Sequence, residues 1–293
     1  MTSEASVTGV TSAVPVTGAN SADTSADTST GASTEASTGA YADRGSGEVL
    51  LLVHGHPFDH TMWAPQLEEF AATHRVVAPD LRGYGNGPAP VADRTLLGDF
   101  AHDVVALADR LGAERFVLGG LSMGGQIVME VLRLFPERVR AVVLADTFPA
   151  AETAGGRALR NSLADRFLAE GPAGVRAYAD EVLEKMVAPY APAEVKARVH
   201  RMMTGTSPAG AAAALRGRAE RPDYRELLAR TTVPALVVVG RDDAYTPVAD
   251  AEAMHAALAD STLVVVEGAA HMPNLERPAE FNAALRAFLD RIG

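Results

Sequence analysis

Six short apolar runs, rich in valine and leucine, constrain the fold of this chain more than any other feature of its sequence. Each run is bounded by glycine, proline or aspartate, and none alternates strictly between polar and apolar residues. This pattern is typical of strands that are buried on both faces of a parallel sheet. The runs are Val49–Val53, Arg75–Ala78, Phe116–Leu118, Ala141–Leu144, Ala235–Val239 and Thr262–Val266.

Helical patterns separate most of these runs. Leu96–Leu111 and Gly125–Phe135 carry apolar residues at helical spacing. Alternation of strand and helix predicts an α/β fold with a mostly parallel central sheet flanked by helices. Residues 150–230 break the rhythm, because they hold several alanine-rich helical stretches and no convincing strand. We expect residues 41–149 and 231–293 to form the core, with residues 150–230 as a helical cap over one sheet edge.

The first 40 residues differ from the rest in composition. They are almost entirely Ser, Thr, Ala, Gly, Val and acidic residues, and five related tetrads run from Ser21 to Ala40. Such a segment has too little apolar surface to offset its ordering entropy, so a disordered tail is expected over residues 1–40. It also lacks the basic and apolar regions of a secretory signal, and a cytoplasmic location is expected.

Composition excludes several classes of function. The 293 residues include no cysteine, which excludes disulfides, thiolate metal sites and a cysteine nucleophile. The net charge of −11 disfavours a nucleic-acid partner. No run of 18 apolar residues occurs, so no membrane span is expected.

The segment Gly120-Leu-Ser-Met-Gly124 is the main chemical signal. A buried strand leads directly into it and an apolar helix leads directly out. A serine on such a sharp turn is held in a strained conformation, and only very small neighbours leave room for it. Gly120, Gly124 and Gly125 meet that need. The turn also places the Ser122 hydroxyl at the start of a helix, where free N–H groups favour negative charge.

A serine hydroxyl needs a base, and the base needs an acid that holds it. Both follow strands later in the chain. His271 comes after the last strand, and Asp242 and Asp243 come after the strand before it. Asp146, which follows the fourth apolar run, is a further acidic residue at a strand end.

These landmarks resemble the α/β-hydrolase family, and in particular its small cap-bearing esterases and lactonases. The resemblance extends over residues 41–293 in the family's order. Relatives begin with an antiparallel pair of strands, of which only the second has a counterpart here, at residues 40–47. The sheet edge is therefore expected to be short or weak. The matching segments are His54-Gly-His-Pro57 with Met62-Trp63, Asp80-Leu-Arg-Gly-Tyr-Gly85, Gly120–Gly124, Gly240–Pro247 and Gly268–Pro278.

The resemblance implies a role for five residues. Ser122 is the nucleophile, His271 the base and Asp243 the acid, since the family's spacing selects Asp243 over Asp242. Asp146 occupies a position that some relatives use for the acid. The backbone N–H groups of His56 and Met123 are implied as the oxyanion donors. Relatives often carry an apolar residue in place of His56, so its side chain either takes part in the site or contributes only its backbone.

Two other motifs are set aside. His54-Gly-His-Pro-Phe-Asp-His60 is close to a zinc motif of metallo-hydrolases but is one residue too long, and the other histidines form no second pair. Gly83-Tyr-Gly-Asn-Gly87 resembles half of a dinucleotide fingerprint, yet prolines and not a helix follow it.

Methionines and tyrosines of residues 150–230 either pack the cap on the core or line an apolar pocket.

The family implies a serine hydrolase that cleaves a small carboxylic ester or lactone through an acyl-enzyme. It implies no metal and no organic cofactor. Three alternatives use the same fold: a cofactor-free haloperoxidase or perhydrolase, a carbon–carbon bond hydrolase or lyase, and a non-catalytic ligand receptor.

Overall fold

The computed structural model describes residues 40–293, which form a seven-stranded sheet in the order β1-β3-β2-β4-β5-β6-β7. Strand β1 is antiparallel to β3, and each other neighbouring pair is parallel. The predicted α/β fold with a mostly parallel sheet is confirmed. The strands are β1 (Tyr41–Arg44), β2 (Val49–Val53), β3 (Arg75–Pro79), β4 (Phe116–Leu121), β5 (Val139–Ala145), β6 (Ala235–Gly240) and β7 (Ser261–Val266).

Each of the six predicted apolar runs lies in one of the strands β2 to β7. Strand β4 continues to Leu121, so it reaches the residue just before Ser122. Strand β1 lies at the sheet edge, where the resemblance placed the second strand of an antiparallel pair. The predicted tail, apart from Ala40, lies outside the described residues, as does the segment that would supply the first strand of that pair.

Helices cover both faces of the sheet. Successive residues of a strand point to opposite faces, and in β2 Leu51 packs in the cluster that includes α2, α3 and α9, whereas Leu50 packs in the cluster that includes α1 and α11. The helices are α1 (Ala64–Phe70), α2 (Leu97–Arg110), α3 (Met123–Leu134), α4 (Ala154–Glu170), α5 (Pro172–Met186), α6 (Ala193–Thr204), α7 (Pro208–Arg218), α8 (Arg225–Arg230), α9 (Val248–Ala257), α10 (Pro273–Glu276) and α11 (Pro278–Ile292).

The chain between β5 and β6 forms helices α4 to α8 and no strand. Helix α7 lies directly on the loops that follow β3. A side chain at Gly210 would overlap the backbone of Gly83, and the Thr95 N–H donates to the carbonyl of Ala213 at 3.0 Å. The glycine thus permits a close approach of α7 to the core. None of the helices within residues 40–293 is both long enough and apolar enough to cross a bilayer.

Candidate active site

Ser122 lies at the bend between β4 and α3. Its φ of 58° and ψ of −115° fall outside the ordinary regions for a residue with a side chain. Three hydrogen bonds to the backbone of Ser122 hold this conformation. The Ser122 N–H donates to Ala145 O at 2.9 Å. The Ser122 carbonyl accepts from the Thr147 hydroxyl at 2.8 Å and from the Gln126 N–H at 3.2 Å. Such strain persists only where the surroundings fix it, and it is common at functional sites.

The glycines around this bend are required by space. A Cβ at Gly120 would overlap the backbone of Gly124, and one at Gly124 would overlap the carbonyl oxygen of Val53. A Cβ at Gly125 would lie 2.5 Å from the side chain of Thr147. The small residues that the sequence predicts beside Ser122 are therefore required because a larger side chain would overlap neighbouring atoms.

His271 is bonded to Asp243 and not to Asp242. The His271 Nδ1 and Asp243 Oδ2 atoms are 2.7 Å apart, and both side chains are buried. Asp243 also accepts from the Tyr245 N–H at 2.7 Å and from the Thr246 hydroxyl. Burial alone would raise the pKa of Asp243, but His271 and these donors hold it below its ordinary value, so the carboxylate is ionised at neutral pH.

The second ring nitrogen of His271 is unpaired in the described structure. His271 Nε2 forms no hydrogen bond within residues 40–293, and the side chain is 3% exposed. The Tyr245 ring lies against the imidazole, with centroids 5.2 Å apart. The Ser122 hydroxyl forms no hydrogen bond to His271 in the described part of the chain. Catalytic hydrogen bonds commonly tighten only when substrate is bound.

The proposed oxyanion donors are unpaired in the described structure. The Met123 N–H begins helix α3, and neither it nor the His56 N–H has an acceptor among the described residues. Gly55 brings the loop of His56 close to the nucleophile, because a Cβ at Gly55 would lie only 3.2 Å from Ser122 Cβ. Two free backbone donors thus lie beside the strained serine, which is the arrangement that stabilises a developing oxyanion.

Comparison with known proteins decides the family. A model of the alpha/beta hydrolase fold matches residues 48–278. The chain belongs to the α/β-hydrolase family. The predictions of this family, of its fold and of an enzyme of the hydrolase type are confirmed.

Relatives of this α/β-hydrolase include esterases and lactonases. The chain is 31% identical to 3-oxoadipate enol-lactonase 2 of Acinetobacter baylyi, over 79% of this chain and 84% of that protein. It is 35% identical to a thermophilic esterase from Thermogutta terrifontis, solved with malate bound, with a TM-score of 0.83 over 86% of this chain and 93% of that one. The enol-lactonase from Burkholderia xenovorans LB400 is 26% identical, with a TM-score of 0.76 over 86% and 96% of the two chains.

The side chain of His56 is part of a buried polar pair in this hydrolase. Its Nδ1 lies 2.7 Å from the Tyr84 hydroxyl, while its Nε2 is enclosed without a partner in the described structure. Burial, followed by the charges of Arg218 and Arg160, holds the pKa of His56 well below its ordinary value, so the ring is neutral. The side chain thus takes part in ordering its own loop, whose backbone N–H was predicted as an oxyanion donor, through a tyrosine 28 residues further along the chain.

The other histidines of the His54–His60 segment are joined to their neighbours by hydrogen bonds. His54 Nε2 accepts from the Leu81 N–H at 3.0 Å. His60 Nδ1 lies 2.7 Å from Asp80 Oδ1, and Asp80 also accepts from the Asn86 N–H at 2.9 Å. Asp59, His60 and Asp80 do lie close enough together to share an ion. Direct hydrogen bonding between His60 and Asp80 gives this group a structural role, which is to fasten the loop after β3.

Glu276 is a functional neighbour that the sequence analysis did not identify. Its buried carboxylate accepts from the N–H groups of Ala270 and Met272, at 3.0 and 3.1 Å, on either side of His271. It also accepts from the Ala188 N–H at 2.7 Å, just after α5. Glu276 therefore fixes the loop of the base and links it to the helices between β5 and β6. The sequence feature that could have indicated this role is an acidic residue at the end of α10, the short helix that follows His271.

Asp146 lies beside the His271–Asp243 pair. One carboxylate oxygen from each of Asp146 and Asp243 and one ring nitrogen of His271 all lie within 4.8 Å of one another. Oδ1 accepts from the Gly240 N–H at 2.9 Å, and Oδ2 is enclosed with no partner among residues 40–293. Burial, and then the charge of Asp243, raise the pKa of Asp146 well above its ordinary value. A neutral Asp146 then has a proton to donate, and Asp243 is the adjacent acceptor.

Proposed function

We propose that this protein is a serine hydrolase that cleaves small carboxylic esters or lactones through an acyl-enzyme. The observation that carries the proposal is the buried His271–Asp243 bond, which leaves the second imidazole nitrogen unpaired in the described structure, together with the strained Ser122 at the bend after β4. The ester and lactone substrates are suggested by the esterases and enol-lactonases that the chain resembles.

In the first half of the reaction, Ser122 Oγ attacks the carbonyl carbon while His271 Nε2 takes the hydroxyl proton. The carbonyl oxygen becomes an oxyanion between the N–H groups of His56 and Met123. Asp243 holds the imidazole in the required tautomer and stabilises its protonated form. The bond to the leaving oxygen then breaks, and that oxygen receives the proton from His271.

In the second half, a water molecule attacks the acyl-enzyme and gives one proton to His271 Nε2. The bond to Ser122 Oγ breaks, and the serine recovers its proton as the carboxylic acid leaves. With a lactone, the alcohol and the acid are parts of one molecule.

The proposal is tested with 4-nitrophenyl acetate, 4-nitrophenyl butyrate and a set of lactones. Ser122→Ala is expected to lower kcat by about 10³-fold or more, since removal of a triad member leaves only the oxyanion hole and binding. A fluorophosphonate is expected to add its phosphonyl mass to the wild type and not to Ser122→Ala. Ser162→Ala, at an exposed position of α4, is the matched control and should behave as the wild type.

Two results would contradict the proposal. One is a Ser122→Ala variant that hydrolyses these esters at the wild-type rate, and the other is fluorophosphonate labelling that persists in that variant. A cytoplasmic location remains a prediction.

A further inference from the structure

Helix α7 buries an arginine at its C-terminal end. The helix is rich in alanine, and Ala211, Ala214 and Arg218 share one face because they are spaced three and four residues apart. Arg218 is only 6% exposed. Its one side-chain hydrogen bond runs from Nε to Gln126 Oε1 at 3.2 Å. The spacing that places Arg218 on the same face as the buried alanines is the sequence feature that could have predicted its burial.

No carboxylate in the described part of the chain neutralises Arg218. The positive charges of two further guanidinium groups, those of Arg160 and Arg221, repel that of Arg218. Both of these groups pair with Glu152. The Arg221–Glu152 distance is 2.8 Å. Glu152 thus pairs with the two neighbouring guanidinium groups, and Arg218 has no carboxylate partner in the described structure. Arginine does not lose its proton in proteins, and an unpaired buried charge is costly, so this arrangement points to a counterion that the chain itself does not supply.

The terminal nitrogens of Arg218 are unpaired in the described structure. Neither forms a hydrogen bond within residues 40–293. The Nε side of the guanidinium is fastened to the helix that follows Ser122, since Gln126 lies one turn after Ser122 and donates its backbone N–H to the Ser122 carbonyl. Arg218 is therefore linked through one residue to the backbone of the candidate nucleophile.

Electrostatic effects on three further residues agree with this position. The charge of Arg218 contributes to lowering the pKa of His56, whose backbone is a proposed oxyanion donor. It also acts on the Tyr84 hydroxyl, which is bonded to His56, and on the Tyr178 hydroxyl of α5. Tyr178 in turn acts on Tyr245, whose ring packs against His271. Arg218 thus acts electrostatically on His56 and on the two tyrosines, Tyr84 and Tyr178.

We propose that Arg218 binds a carboxylate group of the substrate, so that the preferred ester or lactone is an anion. This inference rests on the proposed function, because it assigns the substrate class of the same site. A guanidinium presents two parallel N–H donors that match the two oxygens of a carboxylate. The carboxylate would supply the missing counterion and would orient the ester carbonyl relative to Ser122.

The first test compares two substrates that differ only in charge. Monomethyl adipate carries a carboxylate, and methyl adipamate has a neutral amide in its place. The wild type is expected to prefer the anion in kcat/KM by about 10- to 100-fold, the range for a hydrogen bond to a charged group. Arg218→Met should abolish that preference, and Arg218→Lys should restore part of it.

The matched control is Arg216→Met. Arg216 lies two residues away on α7, but its charge pairs with Asp93 and Asp165 at the surface. This variant should keep the wild-type preference. Two results would overturn the proposal: equal kcat/KM values for both esters in the wild type, or an equal loss for both esters in Arg218→Met.

The second test measures binding without turnover, so that it separates the subsite from the proposed function. Adipate is titrated by calorimetry into Ser122→Ala and into the same protein with Arg218→Met added. Affinity should fall by about tenfold or more when Arg218 is removed. Unchanged affinity would overturn the subsite even if Ser122 proves catalytic. Dependence on Arg218 would support the subsite even if Ser122→Ala retains activity. Inorganic phosphate that binds more tightly than adipate would overturn the choice of a carboxylate.

Discussion

Two clusters of buried charge lie in this hydrolase, and they have opposite sign. The acidic cluster consists of Asp146, Asp243 and His271 at the ends of β5, β6 and β7. The basic cluster consists of Arg218, Arg160 and Arg221 with Glu152. Each cluster contains more charge of one sign than its own members neutralise. The difference between them lies in how the excess can be removed.

The acidic cluster can remove its excess by binding a proton. Asp146 has a raised pKa and Asp243 a lowered one, so one carboxyl group is neutral while the other stays ionised beside His271. The basic cluster has no such option, because a guanidinium remains charged at any physiological pH. The comparison shows that excess charge in a buried site is relieved either by titration or by a ligand, and that arginine leaves only the ligand.

The largest expected effect separates the two carboxyl groups of the acidic cluster. Asp243→Asn should lower kcat by about 10³- to 10⁴-fold, because an amide cannot stabilise the protonated imidazole and favours the wrong tautomer. Asp146→Asn should lower kcat by less than about tenfold, because a neutral amide still donates a hydrogen bond in place of a neutral carboxyl. Steady-state kinetics on 4-nitrophenyl butyrate measures both. Equal losses would contradict this division of roles, and a larger loss in Asp146→Asn would mean that Asp146, not Asp243, acts as the ionised partner of His271.

The next effect concerns the one anion of the basic cluster. Glu152→Gln should lower the free energy of unfolding by about 3 kcal/mol, because it leaves the guanidinium groups of Arg160 and Arg221 without their carboxylate partner. In the folded protein Arg160 and Arg221 outweigh burial and hold the pKa of Glu152 below its ordinary value, which shows that the ionised form is favoured. Urea unfolding at pH 7 measures the change.

Glu170→Gln is the control for this measurement. Glu170 forms an exposed ion pair with Arg166 on α4, and its loss should cost about 0.5 kcal/mol or less. If the two variants lose the same stability, the basic cluster is not under electrostatic strain.

Arg218→Met is expected to stabilise the fold while it removes the anion preference. Replacing an unpaired buried cation by an apolar side chain of similar length relieves a desolvation cost, and the gain should be about 1–2 kcal/mol. A gain of that size raises Tm by about 2–4 °C per kcal/mol in a domain of this size. Thermal unfolding without added anion checks it. A lower Tm would instead assign Arg218 a structural role.

The sequence predicted the parts of the site that local geometry dictates. Ser122 requires Gly120 and Gly124 beside it, and this requirement is visible in five consecutive residues. The strand ends also indicated that His271 and Asp243 would meet, since the carboxyl ends of parallel strands share one edge.

Charges that balance over long separations were not predictable in this way. Arg218 meets Gln126 across 92 residues, and Arg221 meets Glu152 across 69. Asp146 was recognised only as an alternative acid, because its neutral state follows from burial beside Asp243 and not from its place in the sequence. For His56, the deciding contact is the Tyr84 hydroxyl, which only the folded loop brings within reach.

The last prediction concerns the part of the pH dependence of stability that comes from Asp146. In the unfolded chain its pKa is about 3.9, whereas in the folded chain it is well above that value. Between the two, the folded protein holds a proton that the unfolded chain has released. The stability that this proton provides is complete below the unfolded pKa and is lost as pH rises through the folded pKa, by at most about 1.4 kcal/mol per pH unit.

Asp146→Asn removes this dependence and keeps a neutral donor beside Asp243. The free energy of unfolding of the variant, measured relative to the wild type in urea from pH 4.5 to pH 8, should therefore rise with pH. The lowered pKa of Asp243 acts in the opposite direction, but it is present in both proteins and largely cancels in the difference. A pH-independent difference for Asp146→Asn would mean that the acidic cluster does not relieve its charge by proton uptake, and the contrast with Arg218 would then lose its physical basis.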